Sequence, residues 1–308
     1  DLKRQYGGVG FDFVGVPAAG RLRRIQNPLF LGAIDRLSPF VDRWIGRYSS
    51  SYDVIVVNGA VAGRFARDVK RHCPRTRVVT IHHNIERAYY RAEQGRSMQG
   101  WLISYLAERN QRFAFRHSDL NLFLSRDDSC AAIRNYYVRG GVSVIAPFMP
   151  AECCDAPVLD KCLHLGSGFK LLVTGSLDNR QVFEPLIRFI SGSYRELQTG
   201  LDVQLTVAGR SPVPELVDCC RRHGATLVRN PDRMDPLFSD CDIYLGITEG
   251  GSGVKYRMAD PLRYGIPIVA HVQSLTGIEY MAPWIRAYTQ QSELPEILRG
   301  FRERKIVQ

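Results

Sequence analysis

The chain contains no CxxC pair, no internal repeat, and no uninterrupted apolar run near the roughly 20 residues that a membrane-spanning helix needs. It opens on Asp1-Leu2-Lys3-Arg4 rather than on a basic stub followed by an apolar core, so it shows no pattern of a secretory leader. These absences leave no sequence basis for a membrane span, a CxxC metal site or a repeat architecture. Lacking both leader and span, the sequence points to the cytoplasm. The eight cysteines include two adjacent pairs, Cys153-Cys154 and Cys219-Cys220, and read as reduced thiols of a cytosolic protein. Cys153, Cys162 and His164 lack ligand spacing, and no metal is expected.

Acidic residues are scarce in one half of the chain. Residues 1–150 hold 23 Lys and Arg against 12 Asp and Glu, whereas the remainder is nearly balanced, and the net charge is +10. Such a one-sided basic field favours an anionic partner: phospholipid headgroups, a phosphate-linked substrate or nucleic acid. No nucleic-acid reading motif accompanies it, so nucleic acid is not an expected partner.

What is present is a soluble α/β pattern. A length of 308 residues with 45% hydrophobic and 23% charged content suits two globular domains. Strand-like runs recur at "YDVIVVNG" (52–59), "TRVVTIHH" (76–83), "SDLNLFLS" (118–125), "VSVIAP" (142–147), "FKLLVTGS" (169–176), "VQLTVAG" (203–209), "CDIYLGIT" (241–248) and "IPIVAH" (266–271). Most are apolar on consecutive positions, as in central parallel strands covered on both faces. Amphipathic segments lie between them, including 97–116 and the stripe Phe30, Ile34, Leu37, Val41 and Trp44. The prolines and small residues of 147–168 read as a linker, which divides the chain into domains 1–150 and 151–308. "QYGGVGFDFVGVP" resembles a second or later unit, so the first domain is expected to lack its initial βα unit.

The stretch "TEGGSGVKYRMADPLRYGIPIVA" (248–270) places a glycine loop between a strand and a helix-like segment. Bare backbone there lets N–H groups approach an anion, with a helix dipole assisting, so phosphate is the favoured guest. A tight turn that simply needs small residues is the competing reading. Neither GxxxxGK[ST] nor a first-unit GxGxxG occurs. There is no convincing DxD motif either; "DCD" at 240–242 leads into a buried strand and reads as structural.

"GSGVKYRMADPLRYGIPIVA" resembles the donor-binding motif "GvKxKxxEAmAxGxPVV" of GT-B glycosyltransferases of the group 1, family 4-like type. "VVTIHHNIERAYY", "SDLNLFLSRDD", "VIAPFMP" and "LLVTGSLDNRQVFEPLIRFI" are similar to further segments of that family in the same order, so the likeness spans roughly residues 52–290. It implies a GT-B fold of two Rossmann-like domains facing across a cleft. The implied reaction is transfer of a sugar, with retention of configuration, from a nucleoside diphosphate sugar to a hydroxyl acceptor. No cofactor or metal is required.

The resemblance also implies roles. Lys255 and the amides of Gly250, Gly251, Ser252, Gly253 and Val254 would hold the donor diphosphate, with Gly175, Ser176 and Arg180 adding a second phosphate contact. Arg210 would sit at another strand's carboxyl end, where ligands of open α/β sheets gather. Either His82 or His83 would face the sugar, depending on whether the match is counted from the strand or from Asn84-Ile85-Glu86. The family's ribose-binding glutamate is replaced by Asp260 followed by Pro261. Proline there would kink the helix or begin it with Asp260 as cap, which makes Glu249 the better carboxylate candidate. On the acceptor side, "RLRRIQNPLFLGAIDRLSPFVDRW" has the basic start and apolar stripe of a membrane-surface helix near a lipid-linked or glycan acceptor, or of a helix that covers a sheet. Surface-polysaccharide synthesis, peripheral to an anionic membrane, is the expected setting.

Overall fold

The structure, a computed structural model, describes residues 52–95, 97–145, 168–278 and 285–302. The boundary near 150, the stripe from Phe30 to Trp44, the basic segment before it, and Cys153, Cys154, Cys162 and His164 lie outside the described residues.

Two parallel sheets organise what is described. The first has order β1-β2-β3-β4, from β1 (Val54–Asn58), β2 (Arg77–His82), β3 (Leu120–Phe123) and β4 (Gly141–Val144). Its helices are α1 (Gly63–His72), α2 (Glu86–Gln94), α3 (Met98–His117) and α4 (Arg126–Asn135). Ile55, Val57 and Val78 pack on Ala66 and Val69 of α1, while Phe123 packs with Phe115 of α3. The opposite positions of β1, Val54 and Val56, are 50% and 58% exposed.

The second sheet has order β10-β9-β8-β5-β6-β7. Its strands are β5 (Phe169–Ser176), β6 (Val203–Arg210), β7 (Thr226–Arg229), β8 (Ile243–Gly246), β9 (Ile268–His271) and β10 (Ile285–Tyr288). On one face Leu171, Val173 and Leu205 meet α5 (Arg180–Ser191), α6 (Tyr194–Leu201), α7 (Pro214–His223) and α10 (Leu294–Arg302) through Phe189, Tyr194, Leu216 and Leu298. On the other, Leu172, Tyr244 and Ile268 meet Phe238 of α8 (Asp235–Asp240), Met258 and Leu275. Coverage on both faces is why "KLLV" and "IYLG" read as continuous apolar runs. Strands β7 and β10, at the two edges of this sheet, were not read from the sequence.

The segment 254–264 departs from the expected helix. It forms a 3₁₀ turn, Tyr256–Met258, and then one α turn, α9 (Asp260–Arg263), with proline in its first turn and Ala259 at the N-cap. Pro261 cannot donate to a preceding turn, so the helix cannot run through it. Asp260 is the first helical residue rather than the cap.

Candidate functional site

The carboxyl ends of both sheets meet at a cavity of about 240 Å³ lined by His83, Asn84 and Tyr89 from the first region and by Asn179, Gln181, Val182, Thr248, Ser252, Gly253, Val254, Lys255, Tyr256 and Arg257 from the second. The glycine loop after β8 forms much of its wall. Gly251 and Gly253 have φ of 86° and 80°, a region that side chains resist, and a Cβ on them would stand 2.2 Å from Gln181 Oε1 and 2.4 Å from His83 O respectively. Here the chain needs glycine for both conformation and space.

This loop is tied across the cleft. Ser252 Oγ accepts from Ile85 N–H at 2.8 Å and donates to Ile85 O at 3.1 Å. Gly253 N–H donates to Asp128 Oδ2 at 3.1 Å, and Ser125 Oγ donates to the same carboxylate oxygen at 2.8 Å. Asp128 sits in the first turn of α4, and burial raises its pKa against the pull of Ser125, the Gly253 amide and the Lys255 charge. Gln111 on α3 pins the facing loop, donating to Asn84 O at 2.9 Å and accepting from Glu86 N–H at 3.0 Å. Burial pushes the Glu86 carboxyl up to about 8. Asn84 donates to it at 3.1 Å when its amide nitrogen faces inward.

Two cations point into the cavity. Lys255 Nζ donates to the carbonyls of Ser252 (2.8 Å) and Gly253 (3.0 Å), and burial, with the neighbouring Arg257 charge, lowers its pKa to about 8. Arg257 donates to Thr248 Oγ1, and burial lowers its pKa as well. Neither forms an ion pair among the described residues. A largely buried Lys and Arg side by side, with Asp128 as the carboxylate acting on Lys255 but ion-paired to neither, leave an excess of positive charge suited to an anion.

The helix dipole comes from a different element than the sequence suggests. Residues 254–264 supply no helix long enough, whereas the twelve-residue α5 begins at the cavity, with Asn179 as N-cap accepting from Gln181 N–H at 2.8 Å. Its positive end faces the same space as Lys255 and Arg257.

The two histidines part company. His82 is fully buried, stacked between Phe115 and Phe123 at ring distances of 4.8 and 4.7 Å, with Nε2 3.0 Å from Asn121 Oδ1. Burial pushes its pKa down to about 4, so it is a neutral core residue rather than a cavity group. His83, one residue on, lines the cavity with Nε2 2.6 Å from Asn58 Oδ1. Alternation along a strand makes the difference.

Other expected residues fall around the cavity rather than on it. Gly175 and Ser176 end β5 nearby, and a Cβ at Gly175 would stand 3.4 Å from Arg257 Nη1. Arg180 pairs with Glu184 at 2.6 Å and lies against Gly95. Arg210 is exposed at the end of β6, and Gly250 faces open space. Glu249 turns away, held by Arg188 and by Gln291 Nε2 at 2.9 Å. Asp260 is half-buried, which raises its pKa, and it lines no part of the cavity. Asp240 and Asp242 of "DCD" hold Lys170 Nζ and Lys170 N–H at 2.6 and 2.8 Å at the amino end of β8.

The sequence reading assigned no role to Asn58, Tyr89, Asp128, Asn179 or Gln181. Asn179 and Asp128 carried local signals, an N-cap asparagine after a strand and a Ser-x-x-Asp cap. Nothing local announced that they share a cleft.

No protein-family model matches the chain, and no curated protein matches it. Solved structures do. TarM aligns with a TM-score of 0.65 at 10% identity, over 88% of this chain and 52% of TarM. Sucrose-phosphate synthase from Thermosynechococcus elongatus aligns at 0.65 and 15% identity, over 94% of this chain and 72% of that one. Anabaena HepE in complex with UDP aligns at 0.61 and 16% identity, over 86% and 72%. The chain spans about half the length of TarM. With two parallel α/β sheets facing across a cleft, it has the GT-B fold, the architecture of these glycosyltransferase structures. At such identities the likeness is one of fold.

Proposed function

We propose that the protein is a glycosyltransferase that moves a sugar from a nucleoside diphosphate sugar to a hydroxyl acceptor. The observation that carries this reading is the pair Lys255 and Arg257, in no ion pair among the described residues, beside the amino end of α5 in one cavity. A diphosphate would balance their charge, and the HepE neighbour holds UDP.

In the reaction, the bond from the sugar's anomeric carbon to the diphosphate oxygen breaks and that oxygen keeps the electron pair. The acceptor hydroxyl oxygen bonds to the same carbon and gives up its proton. Charge grows on the leaving diphosphate, which Lys255, Arg257 and the positive end of α5 would meet, so they would stabilise the transition state more than the ground state. His83, held by Asn58, would hydrogen-bond the sugar. Retention follows from the sequence resemblance, as does a surface-polysaccharide or lipid-linked acceptor presented at an anionic membrane. Among the described residues no helix is long and apolar enough to cross a membrane.

One observation favours a second reading, a binding module without turnover: Asp260-Pro261 shortens the segment where the family motif has a glutamate. Calorimetric titration of UDP, GDP and their sugar conjugates into the protein and Lys255→Ala tests both. Expected is micromolar binding of one nucleotide, weakened roughly 10- to 150-fold in the variant, the span of a hydrogen bond to a charged group. Binding with no turnover on any hydroxyl acceptor selects the module, and no binding by folded protein sinks both.

A further inference from the structure

A second cavity, of about 490 Å³, lies at the opposite edge of the first sheet, among Lys70, Arg71, Arg116, His117, Asp119 and Arg139. Three segments converge there: the last turn of α1, the last turn of α3, and the turn leading into β4. The amino ends of β2, β3 and β4 form its edge, so the whole length of the sheet separates it from Lys255 and Arg257.

Its charges do not cancel. Lys70 Nζ bonds Asp119 Oδ2 at 2.8 Å and the Thr76 carbonyl at 3.0 Å. Asp119 also accepts from Val78 N–H at 2.7 Å; burial alone would raise its pKa, but Lys70 and this amide outweigh it and hold the carboxylate ionised. That pair is self-contained. His117 Nδ1 donates to Phe113 O at 2.9 Å, leaving Nε2 open. No ion pair or side-chain hydrogen bond engages the guanidinium groups of Arg71, Arg116 or Arg139 among the described residues. The carboxyl ends of α1 and α3 contribute roughly half a negative charge each, against three arginines, which leaves an excess of about two positive charges. Mutual repulsion among three arginines around a hollow is relieved by an anion.

We propose that this cavity is a second anion site, which takes a phosphate group carried on a larger molecule. Guanidinium forks match phosphate oxygens two at a time, and the hollow exceeds what inorganic phosphate fills. The site stands independently of the reading given to the first cavity. The phosphate belongs either to a free phosphorylated solute or to a lipid headgroup.

The test uses inorganic pyrophosphate by calorimetry, and cosedimentation with phosphatidylcholine vesicles with and without phosphatidylglycerol. Each is run on the full chain, on Arg71→Gln/Arg116→Gln/Arg139→Gln, on Lys255→Ala, and on a control lacking the exposed Arg195, Arg221 and Arg222. Expected is binding in at least one arm that falls tenfold or more in the first variant and persists in the other two. Pyrophosphate binding identifies a free solute, and retention by anionic vesicles alone identifies a headgroup. Loss only in Lys255→Ala, equal loss in the control, or no binding in either arm overturns the proposal. The three arginines are exposed, and single Arg139→Gln, expected to weaken binding severalfold, replaces the triple variant if that one melts early.

Discussion

The two sheets are built from similar strands but buried differently. The second is sandwiched: one core joins Phe169, Leu171 and Val173 to Phe189, Tyr194 and Leu298, and another joins Leu172 and Tyr244 to Phe238 and Met258. The first has smaller clusters on one side, around Val69 and Phe115, while Val54 and Val56 remain exposed among the described residues. Among the described residues no second apolar layer covers this sheet, and the region holds buried polar groups, His82, Glu86, Gln111 and Asn121. One region is stabilised by packing, and the other also depends on protonation states.

The largest effect expected from breaking this contrast is in the second sheet. Phe189→Ala deletes a fully buried ring and should cost about 3–5 kcal/mol in urea unfolding, whereas Val56→Ala in the first should stay within roughly 0.5 kcal/mol. A comparable cost at Val56 would show that its face is covered core.

Glu86 sharpens the same contrast through pH. Its carboxyl titrates near 8 in the folded chain and near 4.5 when unfolded, so between those values the folded state holds a proton that the unfolded state has lost. Stability contributed by this group is therefore present at low pH and lost as pH rises toward 8. Glu86→Gln should change nothing near pH 4 and gain on the order of 4 kcal/mol by pH 8, since each pKa unit is worth about 1.4 kcal/mol. Thermal melts across that range check it, and a gain independent of pH would rule out the carboxyl as the cause.

The smallest effect falls where the two regions touch. Asp128 occupies the Gly253 amide and sits near Lys255, the place a diphosphate would fill. Asp128→Asn removes the charge but keeps the shape, and nucleotide binding should tighten roughly fivefold, about 1 kcal/mol. Weaker binding would mean that Asp128 positions the loop for the ligand instead of competing with it.

Much of this was legible along the chain because strands and glycine turns are local. Eight of the strands announced themselves by apolar runs, and "EGGSG" by glycines that the loop needs at 251 and 253. The four-residue β7 and β10 carried too little apolar signal, whereas Pro261 announced the break in the helix-like segment.

The sequence by itself determined the parallel α/β layers, the glycine loop with its lysine, and the uneven distribution of charge, since each depends on neighbours a few residues apart. Only the tertiary structure decided that His83 rather than His82 meets the cavity, that α5 supplies the dipole, that Glu249 turns away, and that Asp128 crosses to Gly253. Those outcomes depend on strand alternation and on contacts between residues from 42 to 125 positions apart, which no local pattern encodes.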